Sequence, residues 1–439
     1  MQFVTDDQTI QDIGLYDSPH NASVFSLFNE TRTAGGSIRL QELLNHPSVD
    51  RTLINHRIEL IRYFTLSPFT LLNNRNELHF IELYLQQQRI PRRPLRLFSF
   101  FRRLTNTVFP KYEFYVRQRG ASYLRGFLVG LHGYFQALGE KSPAILQDYK
   151  REAEAIFRQD NFQYLLNIKK ERYAIRCKLD FYFRNKQRKQ VEELLDIYYY
   201  LDTYNAIATA SVKHHFTLPE FVPNEREVMI EGLFHPFLHA PTGNDMHINE
   251  EKHLAFLTGP NMAGKSTFMK AFGMALYLAH CGFPVPAKQM KSSLFHGLYT
   301  TINLSDSIIQ GYSHFYSEVK RIKFISEQLR GNGHIVVVFD ELFRGTNVKD
   351  AYDATLSIIK AFSTLPIGVF LISTHLIEVA ELLKEVPSVT FHHFEIITID
   401  DIPTYTYLLK TGISHERLGM YILEKEKVID TIRQIGNQG

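Results

Sequence analysis

Apolar residues recur at three- and four-residue spacing from about residue 23 to residue 216, as at Leu40, Leu43 and Leu44 and again at Val191, Leu194 and Leu195. That spacing lines one face of an α-helix and predicts an all-α domain over residues 23–222. Gly and Pro are sparse there, apart from Gly35-Gly36 and the region from Pro91 to Pro94, and no repeat period is evident. A joint, Leu218-Pro219-Glu220-Phe221-Val222-Pro223-Asn224, ends the stretch. Beyond it, short apolar runs at residues 253–257, 334–339, 368–372 and 388–397 alternate with helical patterns at 265–280, 313–330, 349–362 and 376–385. Strands alternating with helices predict an α/β domain with a largely parallel sheet over residues 223–439. Residues 1–22 are expected to form an N-terminal extension.

Composition narrows the class without naming it. In 439 residues, 44% are hydrophobic and 22% charged, which excludes wholesale disorder. Lys plus Arg total 49 against 46 Asp plus Glu, so any nucleic-acid-binding surface must be local. Two basic clusters are candidates: Arg89, Arg92, Arg93, Arg96, Arg102 and Arg103, interleaved with Phe98, Phe100 and Phe101; and Lys169, Lys170, Arg172, Arg176, Lys178, Arg184, Lys186, Arg188 and Lys189. Either would neutralise phosphates, and either would equally be a solvated helix face. Tyr173, Tyr182 and Tyr198 to Tyr200 are expected in the helical core rather than as base-stacking platforms. Cys177 and Cys281, the two cysteines, are too few for a disulfide framework or a structural zinc site, which fits a reducing compartment. The first residues carry acids and no apolar signal-peptide core, and the charge-free stretch 271–287 is broken by Pro284 and Pro286. A cytoplasmic protein with no membrane segment is expected.

The chemistry concentrates at three strand ends. Gly259-Pro260-Asn261-Met262-Ala263-Gly264-Lys265-Ser266-Thr267 follows an apolar strand and opens a helix, and it fits the phosphate-loop pattern G-x-x-x-x-G-K-[ST]. Its glycines let backbone N–H groups converge on phosphate oxygens, and the helix N-terminus adds positive potential. Lys265 is expected at the β- and γ-phosphates and the Ser266 hydroxyl on Mg²⁺. A second apolar run ends in Asp340-Glu341: Asp340 is expected to hold the Mg²⁺ and Glu341 to orient and polarise the attacking water. A third ends in Ser373-Thr374-His375, where His375 is placed to sense the γ-phosphate or the water. ATP and Mg²⁺ are the implied ligands.

Read together, these motifs resemble the MutS family of DNA mismatch-repair ATPases. The loop is close to that family's G-P-N-M-x-G-K-S-T, including Asn261 and Met262, which a generic phosphate loop does not require. Asp340-Glu341-Leu342-Phe343-Arg344-Gly345-Thr346 resembles D-E-x-G-R-G-T, and Asp306 through Gly311, Ser313, Phe315 and Glu318 resembles D-x-x-x-x-G-x-S-T-F-x-x-E. The resemblance implies that this last segment crosses a dimer, so that Ser313 touches the partner copy's nucleotide. Residues 23–36, with Pro47 and Arg57, are similar to the opening of the family's helical core, or lever, domain. Leu201-Asp202 and Phe216 to Phe221 are similar to its return helix and exit, and Glu231 to Pro236 to the start of its ATPase domain. The implied architecture is a P-loop NTPase of the ABC type behind an all-α core domain.

The departures matter as much. The family's mismatch-reading and connector domains have no counterpart here, so mismatch recognition is not carried over. Phe343, Tyr312 and His314 replace other residue types, and Pro241 stands near the place of the family's adenine-stacking aromatic. The expectation is a homodimeric DNA-binding ATPase, acting on duplex, mismatched or branched DNA in repair or recombination. The rival expectation is a nucleotide-switched protein-interaction module with no DNA partner.

Overall fold

The computed structural model describes residues 3–17, 22–69, 75–87, 112–168, 171–260, 262–302, 314–343, 347–399 and 402–414, with Lys425 and Lys427. The chain divides into two compact units. One is Leu27–Asn45 with Asn55–Val212; the other joins Met1–Ser26, His46–Ile54 and Lys213–Gly439.

The described residues of the first unit form helices and no strand. Its longest helices are Tyr112–Ala137 and Arg188–Lys213. The apolar stripe Val191, Leu194, Leu195, Tyr198, Leu201 is buried, as its spacing predicts, and Tyr198 is core rather than platform. Asp202 on the same helix accepts hydrogen bonds from the backbone N–H of Arg32 (3.0 Å) and Thr33 (2.9 Å) and from the Thr33 hydroxyl (2.7 Å). It thereby satisfies donors left open before helix Ala34–Asn45. A Cβ on Gly36 would lie 2.5 Å from Asp202 Oδ2, so only glycine permits this approach. The π-helical turn Tyr182–Lys186 brings the sequence neighbours Phe183 and Arg184 inside together. There Arg184 donates to both Asp180 oxygens (2.7 and 3.1 Å), and the buried Tyr84 hydroxyl donates to Asp180 Oδ1 (2.8 Å).

In the second unit the strands are β1 Glu220–Phe221, β2 Val228–Leu233, β3 Asn244–Ile248, β4 Leu254–Thr258, β5 Gln289–Ser292, β6 Gly297–Thr301, β7 Ile335–Asp340, β8 Val369–Ser373, β9 Val389–Ile399 and β10 Ile402–Thr411. Six form one sheet in the order β10-β9-β4-β8-β7-β6, parallel except for the antiparallel β10. The other four form a sheet ordered β1-β5-β2-β3. Every residue of β4, β7 and β8 is buried, which is why these strands read as continuous apolar runs. Helix Lys265–Cys281, behind β4, is buried along most of its length. Among the described residues no helix is long and apolar enough to cross a membrane.

The units depart from the limits expected at residues 22 and 222. Residues 3–17 pack on the α/β unit: Val4 forms a parallel bridge to Gly297 at the free edge of β6, with Val4 N–H on the His296 carbonyl (2.8 Å) and Leu298 N–H on the Val4 carbonyl (3.0 Å). An open sheet edge attracts such pairing. Residues 46–54 also belong to the α/β unit, where Arg51 donates to the Phe221 carbonyl (2.6 Å).

His280 fixes part of that packing. It is 1% exposed, accepts at Nε2 from the Phe295 N–H (3.3 Å), and so donates from Nδ1 to the Ser48 carbonyl (2.9 Å). Burial pushes it from 6.5 down to about 4. The folded protein therefore binds this proton less readily than the unfolded chain, and stability present above pH 6.5 drains away as pH falls towards 4. His280 alone is expected to remove about 3 kcal/mol over that window. His235 and His392, also held down at about 4 by burial, add to the same slope. Urea unfolding of wild type and His280→Gln from pH 7 to 4 checks this; equal slopes would refute the assignment.

Candidate nucleotide site

The site is built where β4, β7 and β8 end side by side. Leu257 pairs with Ser373, and Asp340 pairs with Ser373 from the other side, so the three polar ends meet in one row. The chain leaves β4 through Gly259 and enters helix Lys265–Cys281 at Gly264, whose φ of 106° lies in the left-handed region that favours glycine. Met262 at the loop tip is 78% exposed, a high value for so apolar a side chain.

Lys265 is folded back over its own loop. Its side chain is 4% exposed, and its ammonium donates to the Gly259 carbonyl (2.7 Å) and the Pro260 carbonyl (3.1 Å) and lies 3.8 Å from Glu341 Oε1. Ser266 donates from its hydroxyl to Asp340 Oδ2, and Ser373 donates to Asp340 Oδ1. The Asp340 carboxylate is thus pinned on both oxygens, one from the loop helix and one from β8. Glu341 N–H donates to the Ser373 carbonyl (3.1 Å) and hydroxyl (3.2 Å), with φ at +54°. His375 Nδ1 stands 3.8 Å from Glu341 Oε2 on a half-exposed ring.

Sequence reasoning therefore named side chains that the fold brings together: Lys265, Ser266, Asp340, Glu341 and His375 share one site, flanked by Gly259, Pro260, Met262, Ala263, Gly264 and Thr267. Asn261 and Ser313 lie outside the described residues, as do Arg344, Gly345 and Thr346.

A cavity of about 510 Å³ opens beside the loop, a volume suited to a small-molecule ligand. Lys265, Ser266 and Glu341 line one part and Leu238, Phe394 and Tyr407 another. Pro241, which stands near the place of the family's adenine-stacking aromatic, does not line it; its aromatic surface includes Phe234, Phe268, Phe394 on β9 and Tyr407 on β10. Asn244 ties this wall down, donating to the Tyr407 carbonyl (3.0 Å) and accepting from the Leu409 N–H (2.7 Å). The sequence offered little signal for Phe394 and Tyr407. They belong to a hairpin that breaks register between Tyr405 and Leu409, and Tyr407 sits there with φ at +58°.

The family model for MutS domain V matches residues 255–437. This stretch is similar to MutS domain V. The DNA mismatch repair protein MutS of Petrotoga mobilis is 27% identical over 237 residues, covering 53% of this chain and 29% of that protein. The MutS proteins of Aquifex pyrophilus and Bacillus subtilis are 29% and 28% identical over 224 and 230 residues, each match covering about half of this chain and 26% of the relative. The chain thus matches less than a third of the length of these relatives. The MutS domain V match includes the phosphate loop, the acidic pair and His375, whereas the helical unit lies wholly before it.

Proposed function

We propose that this chain is a MutS-type ATPase of the P-loop, ABC class, with the helical unit as its core domain, and that it couples ATP binding and hydrolysis to DNA binding in mismatch repair or a related process in the cytoplasm. The observation that carries the reading is the Asp340 carboxylate held between the Ser266 and Ser373 hydroxyls, next to Lys265 and Glu341, inside a stretch similar to MutS domain V.

The donor set suits Mg²⁺. Ser266 and Asp340 offer hard oxygens, and among the described residues no group of three or more His, Cys, Asp or Glu side chains could enclose a metal. A cation held by one or two protein oxygens and a ligand's phosphates fits Mg²⁺ habits. When bound, Mg²⁺ would neutralise charge on the β- and γ-phosphates. The chain's own residues do the rest. Backbone N–H groups of the loop and the helix N-terminus bind phosphate, and Lys265 exchanges its two carbonyl partners for phosphate oxygens. Glu341 orients water and takes its proton, with His375 beside it. Phe394 and Tyr407 supply a wall for the base. Ser313 from a second copy completes the site, so the active form is a homodimer.

For DNA, Arg184 is removed from the candidates by its buried pairing with Asp180. Arg188 and Lys189 pair along their helix with Glu192 and Glu193 but stay exposed and remain candidates, while Arg89 to Arg103 and Lys169 and Lys170 lie outside the described residues. Similarity to DNA mismatch repair proteins favours DNA over a pure interaction module.

Purified protein is expected to hydrolyse ATP only with Mg²⁺ and to retard perfect, mismatched or branched duplexes in a salt-sensitive way. Lys265→Ala should abolish turnover and weaken ATP binding at least tenfold or so, since a charge-assisted contact is lost. A wild-type protein that neither binds nor turns over ATP would end this reading.

A further inference from the structure

The N-terminal residues 3–12 do more than cover a sheet edge. Asp6, Thr9 and Asp12 follow at three-residue spacing around helix Asp7–Asp12, on one face. Asp12, 4% exposed, accepts at Oδ2 from the Thr300 hydroxyl (2.7 Å) and the Ile302 N–H (2.9 Å), and at Oδ1 from Gln8 (3.0 Å). Thr9 Oγ1 accepts from the Thr300 N–H (3.0 Å) and donates to Asp6 (2.7 Å). Asp6 in turn pairs with Arg321 of helix His314–Asn332, and Arg321 donates to the Thr300 carbonyl (2.8 Å) and the Thr301 hydroxyl (3.1 Å). These residues thus tie the C-terminal end of β6 to that helix through buried Thr9 and Asp12 and the partly buried pair Asp6–Arg321.

Apolar contacts alone would have held a loose extension at lower cost, because sequestering a carboxylate from water is expensive unless every oxygen is matched. What a matched network adds is a single geometry. That geometry lies next to the candidate site: Thr301 pairs with Phe339, the residue before Asp340. The same ties flank residues 303–313, where Ser313 resides.

We propose that Asp6 and Asp12 are positioning residues for nucleotide hydrolysis, fixing the end of β6 and, through it, the Asp340-Glu341 end of β7. This rests on the proposed ATPase reading for its kinetic consequence, but the positioning itself can be read without turnover.

The test uses the full chain. Asp12→Ala is expected to lower Tm, because the buried Thr300 hydroxyl and Ile302 N–H lose their acceptor, and, at temperatures where it stays folded, to lower kcat for ATP about tenfold with ATP affinity little changed, the effect of a small misplacement at a distance. Asp12→Asn, which keeps one acceptor oxygen, should recover part of the loss. Asp6→Arg and Arg321→Asp should each lower kcat, and their combination should recover only part of the loss, since the ion pair is remade while the Thr9 contacts of Asp6 and the Thr300 and Thr301 contacts of Arg321 stay broken. Hydrogen–deuterium exchange should rise in Asp12→Ala at the amides of Ile302, Asp340 and Glu341. An unchanged kcat in the folded variant, a parallel fall of kcat and ATP affinity, or faster exchange confined to residues 3–12 would each overturn the proposal. Should wild type lack ATPase activity, the ATPase reading fails and the exchange pattern still decides the positioning.

Discussion

Glu341→Gln is expected to bind ATP as wild type does and to turn it over at least about a hundredfold more slowly, the usual worth of a placed general base. The local geometry explains why so little else should change. Glu341 adopts φ of +54°, a costly conformation for a residue with a Cβ, and it is held there by two hydrogen bonds from its own N–H to Ser373. Gln keeps the backbone, the volume and a carbonyl oxygen facing Lys265, but it cannot take a proton. Equilibrium binding of ATP beside single-turnover hydrolysis separates the two effects. Normal turnover in the variant would remove Glu341 from the chemistry and leave Asp340 or His375 to be reconsidered. Weakened binding with unchanged turnover would instead make the carboxylate a support for Lys265.

The second large effect lies in the other unit. Asp180→Ala should destabilise the helical unit by about 3–5 kcal/mol, because it strands a buried guanidinium. The Arg184 side chain is 3% exposed, and Asp180 is its carboxylate partner in the ion pair; the Tyr84 hydroxyl loses its acceptor as well. Urea unfolding followed by circular dichroism, dominated by these helices, would show a lower midpoint at unchanged slope. The double variant Asp180→Ala, Arg184→Met should lose less than Asp180→Ala alone, since no bare charge then remains inside. If both lost the same amount, packing rather than charge would explain the site.

The parts legible in the sequence were those whose burial is symmetrical. β4, β7, β8 and the start of β9 lie between neighbouring strands, so their apolar runs at 253–257, 334–339, 368–372 and 388–397 stood out within a residue or so of the observed start. The helices between them carried a clear three-to-four period for the same reason. Hidden were β2, β3, β5 and β6, where Gln289-Met290-Lys291-Ser292 or Gly297-Leu298-Tyr299-Thr300-Thr301 shows neither alternation nor a long apolar run. The smaller sheet was therefore missed entirely. The polar part of how residues 6–12 pack was not legible for a different reason: it runs through Asp, Thr and Gln side chains, which look like solvated surface until Thr300, nearly three hundred positions away, is placed beside them. At the site, side chains fixed by local loop geometry were readable, whereas Phe394 and Tyr407 owe their position to a register break in a hairpin.

The assembly of the α/β unit from three separated stretches has a consequence for biogenesis. Phe3, Ile13 and Leu15, all buried when the protein is finished, leave the ribosome some 290 residues before β6 exists. At typical elongation rates that interval is on the order of 15–60 s, during which the intervening helical stretch emerges and is free to fold on its own. For that interval the segment around Phe3, Ile13 and Leu15 lacks its β6 partner, and the nucleotide pocket can mature only after the last strands have been released.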